Sequence, residues 1–294
     1  MSGVPTAAKA SAAATAATAA PAGHVAVVDI GSNSVRLVVY DRLARAPVPR
    51  FNEKFLCGLG SGLDGSGRLT PKAVACALQA LGRFARIARA MEVVRLEAVA
   101  TEAVRRAVDG AEFLALAERR LRAPIRVLEG SEEARLSALG VAGGFWRTEG
   151  VAGDIGGGSL ELAEVGPEGA RGALESLPLG ALRLRQVLAE GRAAAERFID
   201  EALDGVPWLE GAASRGAFYV VGGGWRALAR IHLAVVKAPL RIAHGCTIGP
   251  EEALKLGRAI AGMERKRLAR LAGVPRRRVD TLPPSALLFE RVIL

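Results

Sequence analysis

The chain has 294 residues, and half of them are hydrophobic, so it is long enough to bury a large core and to form two lobes. Its formal net charge is +10, and arginine carries most of it, because only six of the 40 basic residues are lysines. This excess of arginine fits either the coding bias of a GC-rich genome or attraction for a polyanion. We find no helix-turn-helix or RNA-binding signature, and a nucleic-acid partner is therefore not expected.

Residues 1–22 are an Ala-rich tract, predicted to be a disordered tail because it cannot bury enough side chain to offset its ordering entropy. The tract lacks the basic start and the aliphatic run of a signal peptide, and no later apolar stretch is long enough to span a bilayer. These observations predict a cytoplasmic protein with no membrane partner. Cys57, Cys76 and Cys246 have the spacing of neither a zinc site nor a disulfide framework, and isolated reduced thiols are expected.

The first half of the chain predicts strands alternating with helices. An apolar run at residues 25–30 ends in Asp-Ile-Gly and predicts a buried strand, with residues 34–40 as its hairpin partner. Residues 52–68 are Gly-rich and predict a loop. Thr70 and Pro71 are typical of the N-cap and first position of a helix, which extends to about Met91. The next predicted elements are a strand at 93–100, a helix capped by Asp109 and ending near 121, a short strand at 125–128, and a helix at 131–141.

The second half repeats the opening pattern. Residues 150–155 are again an apolar run ending in Asp-Ile-Gly, and residues 160–165 are its predicted hairpin partner. Strands that alternate with helices predict an α/β class, and the hairpins make its sheets mixed. The later predicted elements are a strand at 217–221 that enters Gly222-Gly223-Gly224, a helix to 231, and helices at about 250–261, 263–271 and 284–294.

The predicted domains are the disordered tail (1–22), an N-terminal α/β lobe (23–142) and a C-terminal α/β lobe (143–294), with Gly143-Gly144 as the hinge. The sequence stops inside an apolar run at 286–294, whereas a helix usually ends with a cap or a Gly. We therefore expect the second lobe to be truncated at its C-terminal end, before a further domain.

The most informative feature is an internal repeat of one turn. Residues 29–34 (Asp-Ile-Gly-Ser-Asn-Ser) and 154–159 (Asp-Ile-Gly-Gly-Gly-Ser) both join two strands and share the order strand, Asp-Ile-Gly, two small residues, Ser, strand. Gly and small polar residues let backbone N–H groups turn inward and form an anion site. The preceding Asp can hold a cation that bridges to phosphate. One copy alone would be an ordinary Gly hairpin, but two copies in the same strand context favour phosphate binding.

Four segments in consistent order resemble the exopolyphosphatase / guanosine pentaphosphate phosphatase family. The first turn and the second turn resemble its two phosphate motifs, residues 100–105 (Ala-Thr-Glu-Ala-Val-Arg) resemble its Arg-bearing segment, and residues 129–135 (Glu-Gly-Ser-Glu-Glu-Ala-Arg) resemble its catalytic glutamate segment. The resemblance covers roughly residues 24–294. It implies an α/β, two-lobed actin / sugar kinase / Hsp70-like (ribonuclease H-like, duplicated) fold with mixed sheets. It also implies a bacterial hydrolase that releases phosphate from inorganic polyphosphate or from the stringent-response nucleotide guanosine pentaphosphate.

The resemblance assigns roles to individual residues. It implies that Glu133 is the general base and that Arg105 binds phosphate oxygens. Asp154, Glu161 and Asp29 would hold Mg²⁺ or Mn²⁺. Without the resemblance, Glu132 and Glu133 are explained as carboxylates that offset a helix dipole, and Arg106 as a surface charge. The implied phosphate cradle consists of Gly31, Ser32, Asn33, Ser34, Gly156, Gly157, Gly158, Ser159 and Gly223.

Trp225 and Arg226 depart from the Thr or Ser that many relatives carry near this last turn. Trp225 could stack on guanine, block the pocket, or simply pack at a helix start, and His244 is expected to be structural. Two rival functions stay open: an ATP-dependent kinase or ATPase of the same fold, and a non-catalytic sensor of polyphosphate or alarmone. The sequence leaves the choice between polyphosphate and guanosine pentaphosphate open, as well as that between monomer and homodimer.

Overall fold

A computed structural model describes residues 23–214 and 216–294, so the predicted tail at 1–22 lies outside the described residues. The first of its two sheets has five strands in the order β3-β2-β1-β4-β5. β1 pairs antiparallel with β2 and parallel with β4, which gives the mixed sheet that the hairpin pattern predicted. The strands are β1 (Val25–Ile30), β2 (Val35–Tyr40), β3 (Pro49–Phe55), β4 (Arg95–Ala100) and β5 (Arg126–Val127).

The first sheet is covered by helices whose apolar faces follow the 3.6-residue period. The longest is α2, which begins after Thr70, and the Thr70 hydroxyl accepts a hydrogen bond from the Ala73 N–H at 3.3 Å, as the capping prediction required. Leu81 and Phe84 of this helix are fully buried against the sheet. The helices of this region are α1 (Leu63–Ser66), α2 (Pro71–Ala90), α3 (Glu102–Arg106) and α4 (Gly110–Leu121).

The second sheet has four strands in the order β8-β7-β6-β9, and it repeats the first sheet without a fifth strand. β6 pairs antiparallel with β7 and parallel with β9, as β1 does with β2 and β4. The strands are β6 (Gly150–Ile155), β7 (Leu160–Gly166), β8 (Gly169–Leu177) and β9 (Ala217–Gly222). The remaining helices are α5 (Gly130–Gly144), α6 (Ala181–Ala189), α7 (Arg192–Asp204), α8 (Gly223–Val235), α9 (Pro250–Ala261), α10 (Arg265–Leu268) and α11 (Leu282–Ile293).

Helix α5 precedes the second sheet in the chain but packs against it. Ala134, Ala138 and Val141 share a buried cluster with Ala163 and Val165 of β7. Its side chains at i, i+4 and i+7 therefore form the stripe that covers this sheet. The lobe boundary after residue 142 stays a prediction, and both glycines of the predicted hinge lie in the last turn of α5.

Several sequence predictions were wrong in ways that have a physical reason. Residues 52–68 were predicted to be one loop, but they include the end of β3 and the short helix α1. β3 is an exposed edge strand whose charged residues mask the alternation that marks a half-buried strand. Asp109 does not cap α4, because its carboxylate accepts the Leu69 N–H at 3.0 Å instead. The helix predicted at 263–271 is only one turn, Arg265–Leu268.

Two of the three cysteines are not isolated, contrary to the prediction. The Sγ atoms of Cys57 and Cys76 lie 2.7 Å apart, and both thiols are half-buried and unbonded. Their separation of 19 positions matches no common motif, so only the packing of the loop after β3 against α2 brings them together. Within the described ranges, none of the helices is both long and apolar enough to cross a membrane.

Candidate active site

The two repeated turns are closed by the same hydrogen bond. The Gly31 N–H donates to the Ser34 carbonyl at 3.0 Å, and the Gly156 N–H donates to the Ser159 carbonyl at 2.9 Å. Each turn therefore has one conformation fixed at both ends, at the tip of a hairpin in its own sheet. This is the duplicated turn that the sequence repeat predicted.

The carbonyl groups inside each turn are held from behind. In the first turn, Gly58 N–H donates to Asn33 at 3.1 Å and Gly60 N–H donates to Ser32 at 2.7 Å. In the second turn, the carbonyls are held in the same way by the backbone N–H groups at the start of α6. Gly180, Ala181 and Leu182 donate to the carbonyls of Gly158, Gly156 and Gly157 at 3.1, 3.1 and 2.8 Å.

Holding the carbonyls behind each turn leaves the turn N–H groups on the other side. Among the described residues, no protein oxygen accepts a hydrogen bond from the backbone N–H of Ser32, Asn33, Gly157 or Gly158. Successive N–H groups with their carbonyls turned away form an anion site. Both turns thus have the arrangement of backbone groups that an oxyanion site requires.

The two turns also meet each other. A Cβ placed on Gly157 would lie 2.9 Å from the Ser32 Cβ and 3.2 Å from the Asn33 nitrogen. A side chain at position 157 would therefore force the turns apart, which explains the Gly. The two turns are therefore in contact, as a phosphate site shared by both of them would require.

Four carboxylates converge beside the turns. Asp154 and Glu161 are direct cross-strand partners on β6 and β7, so their side chains point to the same face of the sheet. Ser137 of α5 donates to the Asp154 carboxylate at 2.9 Å, and Ser176 of β8 donates to Glu161 at 3.1 Å. Glu133 lies near enough to Glu161 to raise its pKa, and Asp154 lies near enough to Asp29 to do the same.

The pKa values of these four carboxyl groups are all raised. Burial raises the pKa of Glu133 to about 7, against the opposing charge of Arg105. Burial and then the charge of Glu133 raise the pKa of Glu161 to about 8. Asp29 and Asp154 also have raised pKa values, chiefly because protein atoms displace their hydration at the bottom of the site. Acids crowded in this way favour a proton or a cation.

Arg105 holds the carboxylate of Glu133. Its guanidinium lies 2.6 Å from Glu133 Oε1 and also donates to the Leu128 carbonyl. Glu133 sits in the first turn of α5 with its side chain mostly buried, whereas neighbouring Glu132 pairs with Arg126 at the surface. An interaction with the helix dipole therefore explains Glu132. It does not by itself explain Glu133, which is mostly buried and bound to Arg105.

A ring of charges lies behind the turns, and the sequence did not predict it. Glu102 of α3 is 6% exposed and accepts a hydrogen bond from the Ser32 hydroxyl at 2.9 Å. Arg106 reaches Glu102 at 2.6 Å and Asp64 at 2.7 Å. Arg183 of α6 reaches the same two acids at 3.4 and 3.1 Å. Arg106 is exposed, as predicted for a surface charge, and it also pairs with buried Glu102.

Glu102 also touches the second turn. Its carboxylate packs directly on Gly158, where a Cβ would have no room. The ring borders a crevice of about 100 Å³ that both turns line together with Arg106, Arg183 and Arg185. The only sequence signal for Glu102 was its place shortly after β4, inside the segment that carries Arg105.

The glycine-rich turn after β9 contributes differently from the two phosphate turns. Gly223 begins α8 and packs against the Arg278 guanidinium, and a Cβ on Gly222 would lie 3.1 Å from the Asp154 carboxylate. Trp225 is 1% exposed, and its indole N–H donates to the Ser285 carbonyl at 2.9 Å. The interpretation of Trp225 as a packed residue at a helix start is confirmed. His244 contacts the Gly144 carbonyl and the Phe145 ring, which is a structural contact as expected.

The carboxylates fit a hard divalent cation in their chemistry. Mg²⁺ is usually held by one or two protein carboxylates together with phosphate oxygens and water. Asp154 and Glu161 form such a pair, and burial is the main cause of the raised pKa of each. In the part of the chain that the structure describes, no three Asp, Glu, His or Cys side chains form a metal-binding group on their own.

The model of the Ppx/GppA phosphatase family matches residues 38–294. The chain belongs to this family. Exopolyphosphatase 1 of Mycobacterium leprae is 38% identical over 161 residues, which cover 54% of this chain and 47% of that protein. Exopolyphosphatase 2 of Mycobacterium tuberculosis is 29% identical over 290 residues, which cover 91% of this chain and 89% of that protein. The chain thus spans about half the length of the first relative in its match and most of the second.

Solved structures agree with the fold. The Aquifex aeolicus member of the Ppx/GppA family superposes with a TM-score of 0.74 at 25% identity, covering 92% of this chain and 90% of that one. An exopolyphosphatase from Cytophaga hutchinsonii superposes with a TM-score of 0.74 at 23% identity, covering 92% and 89%. The predicted α/β fold class with two mixed sheets is confirmed.

Proposed function

We propose that this family member hydrolyses the terminal phosphoanhydride bond of inorganic polyphosphate and releases orthophosphate. The observation that supports this most is the meeting of the two N–H turns, at Gly157 and Ser32, beside the carboxylate of Glu133. A phosphoryl group needs oriented hydrogen-bond donors and a positioned water, and little else from the protein. The names of the relatives point the same way.

In this proposal, the terminal phosphate lies between the turns. The free N–H groups of Ser32, Asn33, Gly157 and Gly158 donate to its oxygens. Glu133 takes the proton of a water that attacks the phosphorus, and a pKa of about 7 suits a general base near neutral pH. The bond to the bridging oxygen breaks, and a chain shorter by one phosphate leaves.

Arg105 would act through Glu133 as well as on the substrate. Its hydrogen bond to Glu133 Oε1 fixes the direction of the carboxylate and leaves the second oxygen for water. Its other guanidinium N–H groups would donate to phosphate oxygens as charge develops on them.

Asp154 and Glu161, with Asp29 nearby, would hold Mg²⁺ or Mn²⁺. The metal, when bound, supplies positive charge that neutralises the phosphate and polarises its bridging oxygen. Ser137 and Ser176 would keep the two carboxylates aligned. Asp154→Asn should raise the Mg²⁺ concentration needed for half-maximal activity.

Polyphosphate is favoured over guanosine pentaphosphate by Trp225. Its indole packs against Phe218 and Phe289 in the core, so it offers no face to a guanine base. The crevice beside the turns contains charges of both signs, from Arg106, Arg183, Arg185, Asp64 and Glu102. Its three arginines would attract a substrate that is phosphate throughout.

The test is phosphate release from long-chain polyphosphate and from guanosine pentaphosphate, side by side, with and without Mg²⁺. We expect polyphosphate to release orthophosphate, and we expect this release only in the samples that contain Mg²⁺. Transfer of phosphate from ATP to a sugar would support the kinase instead. Tight binding of polyphosphate without release in Mg²⁺ would support the sensor.

A further inference from the structure

The thiols of Cys57 and Cys76 form a close pair inside the first lobe. Their Sγ atoms are 2.7 Å apart, and both residues are half-buried, so small molecules can reach them. A disulfide bond is about 2.05 Å long, so the sulfur atoms need to approach by only about 0.7 Å to form one. Cys246 is also half-buried, but it has no thiol beside it among the described residues.

The pair adjoins the first phosphate turn. Cys57 stands directly before Gly58, whose N–H holds the Asn33 carbonyl at 3.1 Å, and Gly60 holds the Ser32 carbonyl at 2.7 Å. The Cys57 sulfur also accepts a hydrogen bond from the backbone N–H of Val35, the residue after the turn. Cys57 therefore begins the loop that keeps the carbonyls of this turn facing away from the phosphate site.

Cys76 is on a rigid element. It lies in the second turn of α2, a 20-residue helix whose inner face is buried against the first sheet. A bond between the two sulfurs would fasten the loop behind the first turn to a helix that is packed against the first sheet.

We propose that Cys57 and Cys76 form a reversible disulfide bond that braces the loop behind the first phosphate turn when the protein meets a peroxide. One of the two sulfurs attacks a peroxide oxygen, so that an S–O bond forms and the O–O bond breaks, and the departing hydroxide takes the proton of that thiol and leaves as water. The other thiol then attacks the oxidised sulfur, the S–S bond forms, and hydroxide leaves with the proton of the second thiol as a second water. The two thiols are oxidised and one hydrogen peroxide is reduced.

The contact between the two sulfurs makes the second step fast once the first has occurred. Burial, and then the hydrogen bond with Cys76, raise the pKa of the Cys57 thiol to about 12, so the pair reacts slowly until an oxidant is present. Whichever thiol is oxidised first, the other lies 2.7 Å away and attacks it. A small-molecule dithiol such as dithiothreitol would reverse the reaction by exchange.

The bond would stabilise the folded protein because it closes a loop of about 20 residues in the unfolded chain. For a chain of this size, we expect the thermal midpoint to rise by roughly 5–10 °C. The brace acts on the turn from behind, and no group that faces the phosphate site is consumed.

The experiment treats the purified chain with one equivalent of hydrogen peroxide and follows the intact mass, the peptide map and the thermal midpoint. We expect the loss of two hydrogen atoms, a linked peptide pair containing positions 57 and 76, and a higher midpoint, all reversed by dithiothreitol. Cys246→Ser is the matched control and should respond like the wild type. Cys76→Ser and Cys57→Ser should lose the linked peptide and the rise.

Other results would overturn the proposal. These are oxidation that stops at a sulfinic acid, a bond between two chains through Cys246, or a linked pair without a change in thermal midpoint. Two serine variants are used so that poor folding of one leaves the other as the test. None of these measurements depends on phosphate release, so they remain decisive if the proposed hydrolysis is wrong.

Discussion

Asp29 and Asp154 are the second-to-last residues of equivalent strands, but the residues paired with them on the neighbouring strands differ in the sign of their charge. Asp29 is opposite Arg36 on β2, whereas Asp154 is opposite Glu161 on β7. The two equivalent hairpins therefore place an arginine beside Asp29 and a second carboxylate beside Asp154. The negative charge available to a divalent cation is concentrated on the second sheet, beside Glu133.

Glu133 and Glu132 provide a matched pair of substitutions. We expect Glu133→Gln to lower kcat by about 10²- to 10⁴-fold, because it removes the group that accepts the water proton. Polyphosphate binding should persist, since the turn N–H groups remain. Glu132→Gln should change kcat by less than about twofold, because Glu132 pairs with Arg126 at the surface. Steady-state kinetics with a binding assay checks both, and near-normal turnover of Glu133→Gln would remove it from the mechanism.

The stability of the metal-free protein should fall as the pH rises. The folded pKa of Glu161 is about 8, while the unfolded chain releases this proton near the ordinary value of 4.5. Between these pH values the folded state binds more protons than the unfolded state, so stability is full below about pH 4.5 and is lost as the pH passes 8. Glu133 adds a loss of the same sign up to about pH 7.

Glu161→Gln isolates this effect. The variant cannot ionise at position 161, so its thermal midpoint should fall less between pH 5 and pH 8.5 than that of the wild type. The measurement is thermal unfolding in chelator across that range. Added Mg²⁺ should flatten the wild-type curve, because a bound cation favours the ionised carboxylates. Equal slopes for both proteins in chelator would contradict the raised pKa of Glu161.

Glu102 should matter for catalysis although it does not reach the substrate. It accepts the Ser32 hydroxyl and packs on Gly158, so it sets the distance between the two turns. We expect Glu102→Gln to lower kcat roughly tenfold to a hundredfold with a smaller change in KM, as small misplacements of binding groups do.

Glu97→Gln is the control for Glu102→Gln. Glu97 lies on β4, is exposed, and among the described residues pairs only with Arg95, so its loss should leave the kinetics unchanged. If the two variants have the same kcat, Glu102 does not position the turns. Arg183→Gln should reproduce the loss, because Arg183 joins the second lobe to the same acid.

Trp225 and Trp146 separate packing from recognition. Trp225 is 1% exposed and Trp146 is 81% exposed. We expect Trp225→Ala to cost about 3–5 kcal/mol of unfolding free energy and Trp146→Ala to cost little. Denaturant titration measures both. Guanine nucleotides should not change the fluorescence of Trp225 in a protein that carries both Trp146→Phe and Trp208→Phe, which leave Trp225 as the only fluorescent indole of the three in the sequence. Strong quenching would reopen the stacking hypothesis.

Much of the fold followed from local pattern. β1, β6 and α2 were predicted nearly to the residue, because an apolar run ending in Asp-Ile-Gly and a Thr-Pro helix start are signals carried by adjacent residues. β3 and β8 were missed, since edge strands keep one side in solvent and their charged residues hide the period of two. The cap at Asp109 failed because its carboxylate found a partner 40 positions away.

The sequence alone determined the two turns, their spacing in the chain and the family. A turn needs only a few neighbouring residues with the right backbone freedom, and repeating it leaves a visible mark. The tertiary structure determined which residues surround the two turns. The ring of Glu102, Arg106, Asp64 and Arg183 and the Cys57–Cys76 pair join residues up to 119 positions apart. Such contacts depend on how the sheets and helices pack, and no local periodicity records them.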